Sequence, residues 1–225
     1  MRRSRVVLFL LLFAALEVQA QSRDSGRIFS LTAGMGVDAH SAPSVSDYVN
    51  LVAQPGREER FDEFSSAMEF FIEPEIQILE NWSVGLEYSV MIKSHRVSQS
   101  AGIGDSEFSY TVQLPAILAN YIVPGEGYLL KFGAGIGYAA GDFSQRLFGS
   151  AQSSDFQSKG LTAKLEAVGN TRFDENFYGS IGADLRWIAG GVFKSQSGVE
   201  ARVGGTKAEM SFFNIGLKFG VMILF

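Results

Sequence analysis

Residues 213–225 of this 225-residue chain read FNIGLKFGVMILF, and every odd position in the stretch holds a large apolar residue. The even positions are mixed, with Asn214, Gly216, Lys218 and Gly220 preceding two further apolar residues. Strict alternation over this length is typical of a β-strand with one apolar and one mixed face. The stretch is slightly longer than the roughly 9–11 residues that a tilted strand needs to cross a bilayer. It therefore predicts a membrane-spanning β-strand.

Seven further segments show the same period of two. They lie near residues 27–38, 67–78, 82–92, 107–121, 128–138, 161–168 and 177–189. Their connections alternate between short (79–81, 123–126, 169–176) and long (39–66, 93–106, 139–160, 190–209). An even strand number with alternating short turns and long loops is the pattern of transmembrane barrels. We therefore predict an all-β fold, an eight-stranded antiparallel up-and-down transmembrane β-barrel.

The composition of the polar faces distinguishes a membrane barrel from a soluble one. A soluble ligand-binding barrel also alternates, but it turns its apolar face inward and its polar face toward water. The polar faces here are mostly Gly, Ser and Thr rather than Lys and Glu, which favours a lipid-facing exterior. Aromatic residues near the strand ends predict the two girdles found at membrane interfaces. The predicted girdle residues are Trp82, Tyr88, Tyr110, Tyr128, Tyr138 and Trp187.

The first 20 residues have the pattern of a secretory signal peptide. Three arginines precede the apolar run from Val6 to Leu16, and small residues follow at a possible cleavage site. We expect residues 1–20 to be removed on export and residues 21–225 to form the barrel domain. The chain has no cysteine, so we expect neither a lipid-anchored amino-terminus nor disulfides. Its net charge of −5, with no cluster of Lys and Arg, argues against nucleic-acid binding.

The terminal strand resembles the assembly signal of bacterial outer-membrane barrels, and the whole pattern resembles the eight-stranded OmpA/OmpX-type families. The signal positions would be Lys218, Gly220, Ile223 and Phe225, with Ile in place of the more usual aromatic residue at the third. The resemblance implies a monomer in the outer membrane of a Gram-negative-type cell, in contact with lipid and lipopolysaccharide. It also implies delivery by periplasmic chaperones and the barrel-assembly machinery.

The mixed strand faces place charges of both signs inside the predicted barrel. The interior candidates are Glu69, Glu73, Glu75, Glu87, Lys131, Lys164, Glu166, Asp184, Arg186 and Lys218. Eight strands leave an interior just wide enough for side chains to fill. The charges predict either a plug of salt bridges or the lining of a narrow pore. Pro74 lies within a predicted strand and predicts a β-bulge, and Pro115 predicts a second irregularity.

The sequence carries little sign of catalysis. Its two histidines, His40 and His95, lie at predicted loop ends beside Ser41 and Ser94, and we interpret them as solvated loop residues. No metal-ligand cluster or nucleotide fingerprint is evident, so we predict no catalytic residues, no cofactor and no metal. The leading hypothesis is a non-enzymatic structural or surface-interaction role, with a possible extracellular ligand at the loops. The alternatives are a narrow porin-like pore or carrier for small solutes, and a lipid A-modifying enzyme.

Overall fold

The computed structural model describes residues 28–53, 66–98, 105–149 and 152–225. Within these residues eight antiparallel strands close into a barrel, which confirms the predicted fold class. They are β1 (Phe29–Ser41), β2 (Ser66–Leu79), β3 (Trp82–Ser98), β4 (Asp105–Gly125), β5 (Tyr128–Arg146), β6 (Ser154–Arg172), β7 (Phe177–Val192) and β10 (Glu209–Leu224). A helix, α1 (Pro43–Ala53), follows β1, and a small hairpin of β8 (Arg202–Val203) and β9 (Thr206–Lys207) precedes β10. The predicted signal peptide lies outside the described residues.

Each barrel strand pairs with its neighbours along the chain, and β1 pairs with β10 to close the ring. This closing seam runs without interruption from Ser30 opposite Leu224 to Ser41 opposite Phe213. The two backbones approach closely at Gly34 and Gly220. A Cβ atom on Gly34 would lie 2.1 Å from the carbonyl oxygen of Phe219, so a larger residue there would force the strands apart. Glycine is therefore required on the inner face of the seam.

The outer surface carries a continuous apolar band bounded by aromatic residues. At the end of the barrel with the short hairpins, here the turn end, the outward aromatics are Trp82, Tyr121, Tyr128 and Phe177. Toward the other end, here the loop end, they are Tyr88, Tyr138, Trp187 and Phe213. The Tyr88 hydroxyl donates a hydrogen bond to Oε1 of Gln113 at 3.1 Å, which marks the change to a polar exterior. No helix in the described part of the chain is long and apolar enough to span a bilayer.

The strands continue well beyond the apolar band, where the sequence predicted long loops. Strands β3 and β4 extend through most of residues 93–106, and β5 and β6 take up much of residues 139–160. The weakest predicted strand, 161–168, is the middle of the 19-residue β6. Polar residues face outward in these extensions, so the apolar-outward pattern of a membrane strand is absent from them. The barrel is therefore taller than its membrane-spanning part.

The prediction that Tyr110 belongs to an aromatic girdle is wrong. Tyr110 is only 4% exposed and points into the barrel, together with Phe108, Val112 and Leu114 of β4. The outward residues of the same segment are Glu107, Ser109, Thr111 and Gln113. From Pro115 toward the turn end, the larger apolar residues Ile117 and Tyr121 face outward instead, although Leu118 stays inside. The strand is unbroken, so the apolar residues change face because the exterior changes from lipid to water.

The β-bulge predicted at Pro74 is also wrong. The pairs Ile72 with Tyr88 and Glu75 with Gly85 keep one register, so no extra residue is inserted between β2 and β3 there. The ladder simply lacks the two intervening pairs, because proline has no N–H to donate. The irregularity at Pro115 takes the same form: the pairs on either side of it, to β5, share one register. Both prolines therefore cost local hydrogen bonds without changing the alignment of the strands.

Candidate functional site in the barrel interior

The interior has a charged layer at the level of the membrane band. All ten charged residues that the sequence placed inside lie there, and none is more than 7% exposed. They reach the interior because each alternates along its strand with lipid-facing residues. Asp38 of β1, fully buried, is an eleventh charged member that the sequence analysis did not select. Its position on the same face as Gly34 and Gly36 was the signal that could have identified it.

Glu87 of β3 is the centre of the largest group of ion pairs. Its Oε1 lies 3.0 Å from Nη2 of Arg186 on β7. Its Oε2 lies 2.6 Å from Nζ of Lys218 on β10 and also accepts a hydrogen bond from Lys164 on β6. Arg186 lies in addition 2.8 Å from Oε1 of Glu69. One carboxylate thus joins three cations from the opposite wall of the barrel.

A second group lies nearer the turn end. Nζ of Lys131 on β5 contacts Oε2 of Glu75 at 2.7 Å and lies 4.0 Å from Oε1 of Glu73. The amide of Asn120 donates to the same two carboxylates, at 3.1 Å and 3.3 Å respectively. A buried carboxylate is tolerated only when it is paired or hydrogen-bonded. These contacts provide both, and they leave the side chains of Glu73 and Glu75 held across the lumen.

An apolar layer lies above the charged layer, at the loop end. Its central residue is Phe143 of β5, whose ring lies 5.6 Å from that of Phe193 and 6.4 Å from that of Phe108. The other buried members on the barrel strands include Met91, Val112, Leu114, Ala139, Phe156, Ile188, Met210 and Phe212. The lumen at this level is therefore filled by side chains, as in a soluble β-barrel with an apolar core.

Helix α1 covers the apolar layer. Pro43 opens the helix, where proline is favoured, and Val45, Tyr48 and Val49 turn toward the core. The Tyr48 hydroxyl donates to Oε1 of Gln145 at 2.9 Å. The sequence analysis assigned this segment to a loop. The spacing of its apolar residues by three and four was the helical signal that could have revealed it.

The two histidines occupy different environments. His40 is 5% exposed, so its interpretation as a solvated loop residue is wrong. It lies between the charged and apolar layers, hydrogen-bonds to the Tyr110 hydroxyl and packs its ring 5.7 Å from that of Phe212. His95 is partly exposed on the inward face of β3. His40 is thus bonded to a phenol within packed side chains, an arrangement suited to structure.

The outer wall above the membrane band is polar. Residues 105–113 of β4 and the adjoining parts of β3, β5 and β6 turn hydroxyl, amide and charged side chains outward. Arg146 of β5 and Glu107 of β4 form a cross-strand ion pair of 2.6 Å. Gln157 of β6 donates to Oδ1 of Asp142 at 2.9 Å. This wall is a solvated surface that the barrel holds rigidly above the band.

Comparison with known proteins supports the fold. No protein-family model and no curated protein matches the sequence. Among solved structures, Neisserial surface protein A is similar with a TM-score of 0.52 and 13% identity, covering 88% of this chain and 99% of that one. The attachment invasion locus protein Ail of Yersinia pestis, in complex with the heparin analogue sucrose octasulfate, is similar with a TM-score of 0.51 and 12% identity. The match covers 89% of this chain and 100% of that one. A major outer membrane protein from Thermus thermophilus is similar with a TM-score of 0.51 and 11% identity, covering 89% of this chain and 100% of that one.

These similarities define the fold of the protein. The chain has the fold of the outer-membrane β-barrels, which confirms the resemblance to OmpA/OmpX-type barrels at the level of architecture. At such low identities the likeness extends to the fold alone.

Proposed function

We propose that this protein is a closed, monomeric outer-membrane barrel with a structural or surface-interaction role and no catalytic activity. The observation that carries the proposal is that side chains fill the lumen at two successive levels. The buried ion pairs fill it within the membrane band, and the apolar layer under α1 fills it at the loop end. A solute would have to displace both layers to pass.

The outer surface supports the location in the membrane. Every backbone group that crosses lipid must be hydrogen-bonded internally, and a closed barrel meets that requirement. The exterior band contains exposed Phe, Leu, Ile and Val side chains that would be unfavourable in water. Export by cleavage of residues 1–20 and assembly through the terminal strand belong to the same proposal.

The polar wall at the loop end is the surface that we propose for interaction. It projects from the apolar band, and it is backed by a packed core, so it is held in one shape. Its cations include Arg96 and Arg146, which pair with acidic side chains of the wall and remain exposed enough for charge-assisted contacts with lipopolysaccharide phosphates. An extracellular partner would meet the same wall and the nearby loops.

The alternative function is a narrow pore or carrier, which the charged lining at membrane level favours. Conductance of the refolded protein in a planar bilayer separates the two. We expect no discrete channels from protein whose folding has been verified by its heat-dependent mobility on a gel. Discrete and reproducible channels from the unmodified chain would contradict the closed-barrel proposal.

A widened variant serves as the matched control for this measurement. Arg186→Ala together with Lys131→Ala removes a cation from each of the two charged groups, and Phe143→Ala opens the apolar layer. The triple variant should conduct if these layers close the lumen, whereas opening either layer alone should leave the barrel silent because the other layer stays intact. Conduction after opening one layer alone would show that only that layer closes the barrel.

A further inference from the structure

We propose that the barrel interior contains a binding site for one divalent, oxygen-preferring cation, with Ca²⁺ as the best fit. The ligands are the carboxylates of Asp38 on β1, Glu69 on β2 and Asp184 on β7. One oxygen from each lies within 4.8 Å of the other two, and all three residues are buried. This site is additional to the closed-barrel role and does not depend on it.

The burial of the Asp38 carboxylate without a partner is the observation that points to a ligand. Its side chain is 0% exposed, and neither of its oxygens has a hydrogen-bond donor among the residues that the structure describes. It also forms no ion pair within that part of the chain. An ionised carboxylate buried without a partner is strongly unfavourable. A cation held beside it removes that penalty.

The strand register directs two of the carboxylates to one point. Asp38 and Asp184 both lie opposite Gly216, which occupies the strand between theirs. A Cβ atom built on Gly216 would lie 2.6 Å from Oδ1 of Asp38 and 2.4 Å from Oδ1 of Asp184. The two oxygens therefore converge over the glycine, and a larger residue would occupy the space between them.

The surrounding cations balance only part of the negative charge. Arg186 lies 2.8 Å from Glu69 and 3.6 Å from Asp184, and Lys218 lies 4.0 Å from Glu69. Among the described residues, the interior holds seven buried carboxylates and four buried Lys or Arg side chains. The excess of three negative charges would fall to one with a bound divalent cation.

A second trio of carboxylates provides an internal contrast. Glu73, Glu87 and Glu166 also bring their oxygens within 4.8 Å of one another. Each of these three, however, already pairs with a lysine: Glu73 with Lys131, and Glu87 and Glu166 with Lys164. No member of this trio lacks an ion pair, whereas Asp38 in the first trio has none within the described residues, so we assign no cation to the second trio.

The size of the first site favours Ca²⁺ over Mg²⁺. A cation centred among three oxygens within 4.8 Å of one another would lie at most about 2.8 Å from each, and a slight inward movement gives the 2.3–2.6 Å of Ca²⁺–oxygen bonds. Mg²⁺ needs shorter bonds in a strict octahedron and gives up its water reluctantly. Carboxylates on three strands of a rigid barrel suit the more flexible coordination of Ca²⁺.

The test is Ca²⁺ binding by the full chain, refolded in detergent without lipopolysaccharide. Equilibrium dialysis with radioactive Ca²⁺ gives the number bound per chain, and thermal unfolding with Ca²⁺ or with a chelator gives the change in Tm. We expect saturation near one Ca²⁺ per chain and a higher Tm in Ca²⁺. Asp38→Asn should lose the bound ion and the Tm difference, whereas Asp155→Asn, on the exposed wall of β6, should retain both.

The contrary outcomes are equally specific. Absence of saturable binding to the unmodified chain overturns the proposal, and so does equal binding by Asp38→Asn, which would place the ion elsewhere. Should Asp38→Asn fail to fold, Asp184→Asn takes its place with the same expectation. If binding is absent and Asp38→Asn is as stable as the unmodified chain, the three carboxylates share protons and hold no cation.

Discussion

Arg186 and Glu87 lie on diametrically opposite strands of the barrel and contact each other through Nη2 and Oε1 at 3.0 Å. Three strands separate β3 from β7 in either direction around the ring. The contact therefore spans the full width of the lumen. It connects two walls that the backbone ladder joins only through intermediate strands, and Lys164 and Lys218 meet the same carboxylate.

Replacing Glu87 tests what this contact contributes. Glu87→Gln keeps the shape of the side chain but leaves Arg186, Lys164 and Lys218 without their shared anion. We expect a loss of about 3–5 kcal/mol in the free energy of unfolding, since removal of one partner leaves buried charge uncompensated. Urea titration of the protein in lipid vesicles measures it. Glu126→Gln in an exposed turn is the control, and equal stability of the two variants would refute the expectation.

The apolar layer predicts a cavity effect at Phe143. Phe143→Ala removes a ring that contacts Phe108, Phe156 and Phe193, and it should destabilise the barrel by about 3–5 kcal/mol. The same change at Phe148, which is 43% exposed, should have little effect. The free energy of unfolding of both variants is measured by urea titration. A similar loss in the two variants would mean that the apolar layer does not contribute as a packed core.

Two positions on helix α1 should respond in opposite ways to substitution by aspartate. Val49 is 1% exposed against the core, whereas Leu51 on the same helix is 42% exposed. Val49→Asp would bury an unpaired charge, at a cost on the order of 3 kcal/mol, so the helix should detach from the barrel. Proteinase K added to vesicles should then cut within α1. Leu51→Asp should remain resistant, and cutting of both variants at one rate would contradict the docked position of the helix.

The fluorescence of the two tryptophans of the chain can locate the two membrane interfaces. Trp82 lies at the turn end of the apolar band and Trp187 toward the loop end, and both face outward. In the single-tryptophan variants Trp82→Phe and Trp187→Phe, lipids brominated near the headgroup should quench fluorescence more strongly than lipids brominated near the chain ends. Strongest quenching at the chain ends, or none at all, would contradict the position of the band.

The proposed assembly signal predicts a difference between two phenylalanines of the terminal strand. Phe225→Ala should lower the amount of barrel in the outer membrane severalfold, because it changes a signal position. Its ring also lies 5.6 Å from that of Phe29 across the closing seam. Phe219→Ala removes a lipid-facing ring that is not part of the signal and serves as the control. Equal yields, measured by immunoblot of outer-membrane fractions, would count against a special role for Phe225.

The strand faces were predictable wherever the outside of the barrel is lipid and the inside is polar. In β1 and β2 large apolar residues alternate with Gly, Ser, Thr and acidic residues, with Phe71 as an inward exception, and the structure places the alternating apolar face outside. Assigning the apolar face to the outside fails in β4, where Phe108 and Tyr110 alternate like lipid-facing residues but point into the barrel. Alternation reveals that two faces differ, but it does not reveal which face is inside. That depends on whether the surroundings are lipid or water.

The candidate cation site could not be predicted from the sequence for a different reason. Asp38, Glu69 and Asp184 are far apart in the chain and follow no ligand spacing. Only the ring order and the register bring Asp38 and Asp184 to either side of Gly216. Pairing partners within a closed sheet are properties of the whole fold, so a motif search along the chain has no access to them.

The length and constant register of strand β4 have a mechanical consequence. Its 21 residues run without a break from the apolar band to the loop end, and its register with β3 is constant over the paired length. A pull on the polar wall along the strand direction would load many backbone hydrogen bonds at once in shear. The wall and the membrane-spanning part should consequently move as one stiff rod, so that a force applied at the tip reaches the bilayer with little extension in between.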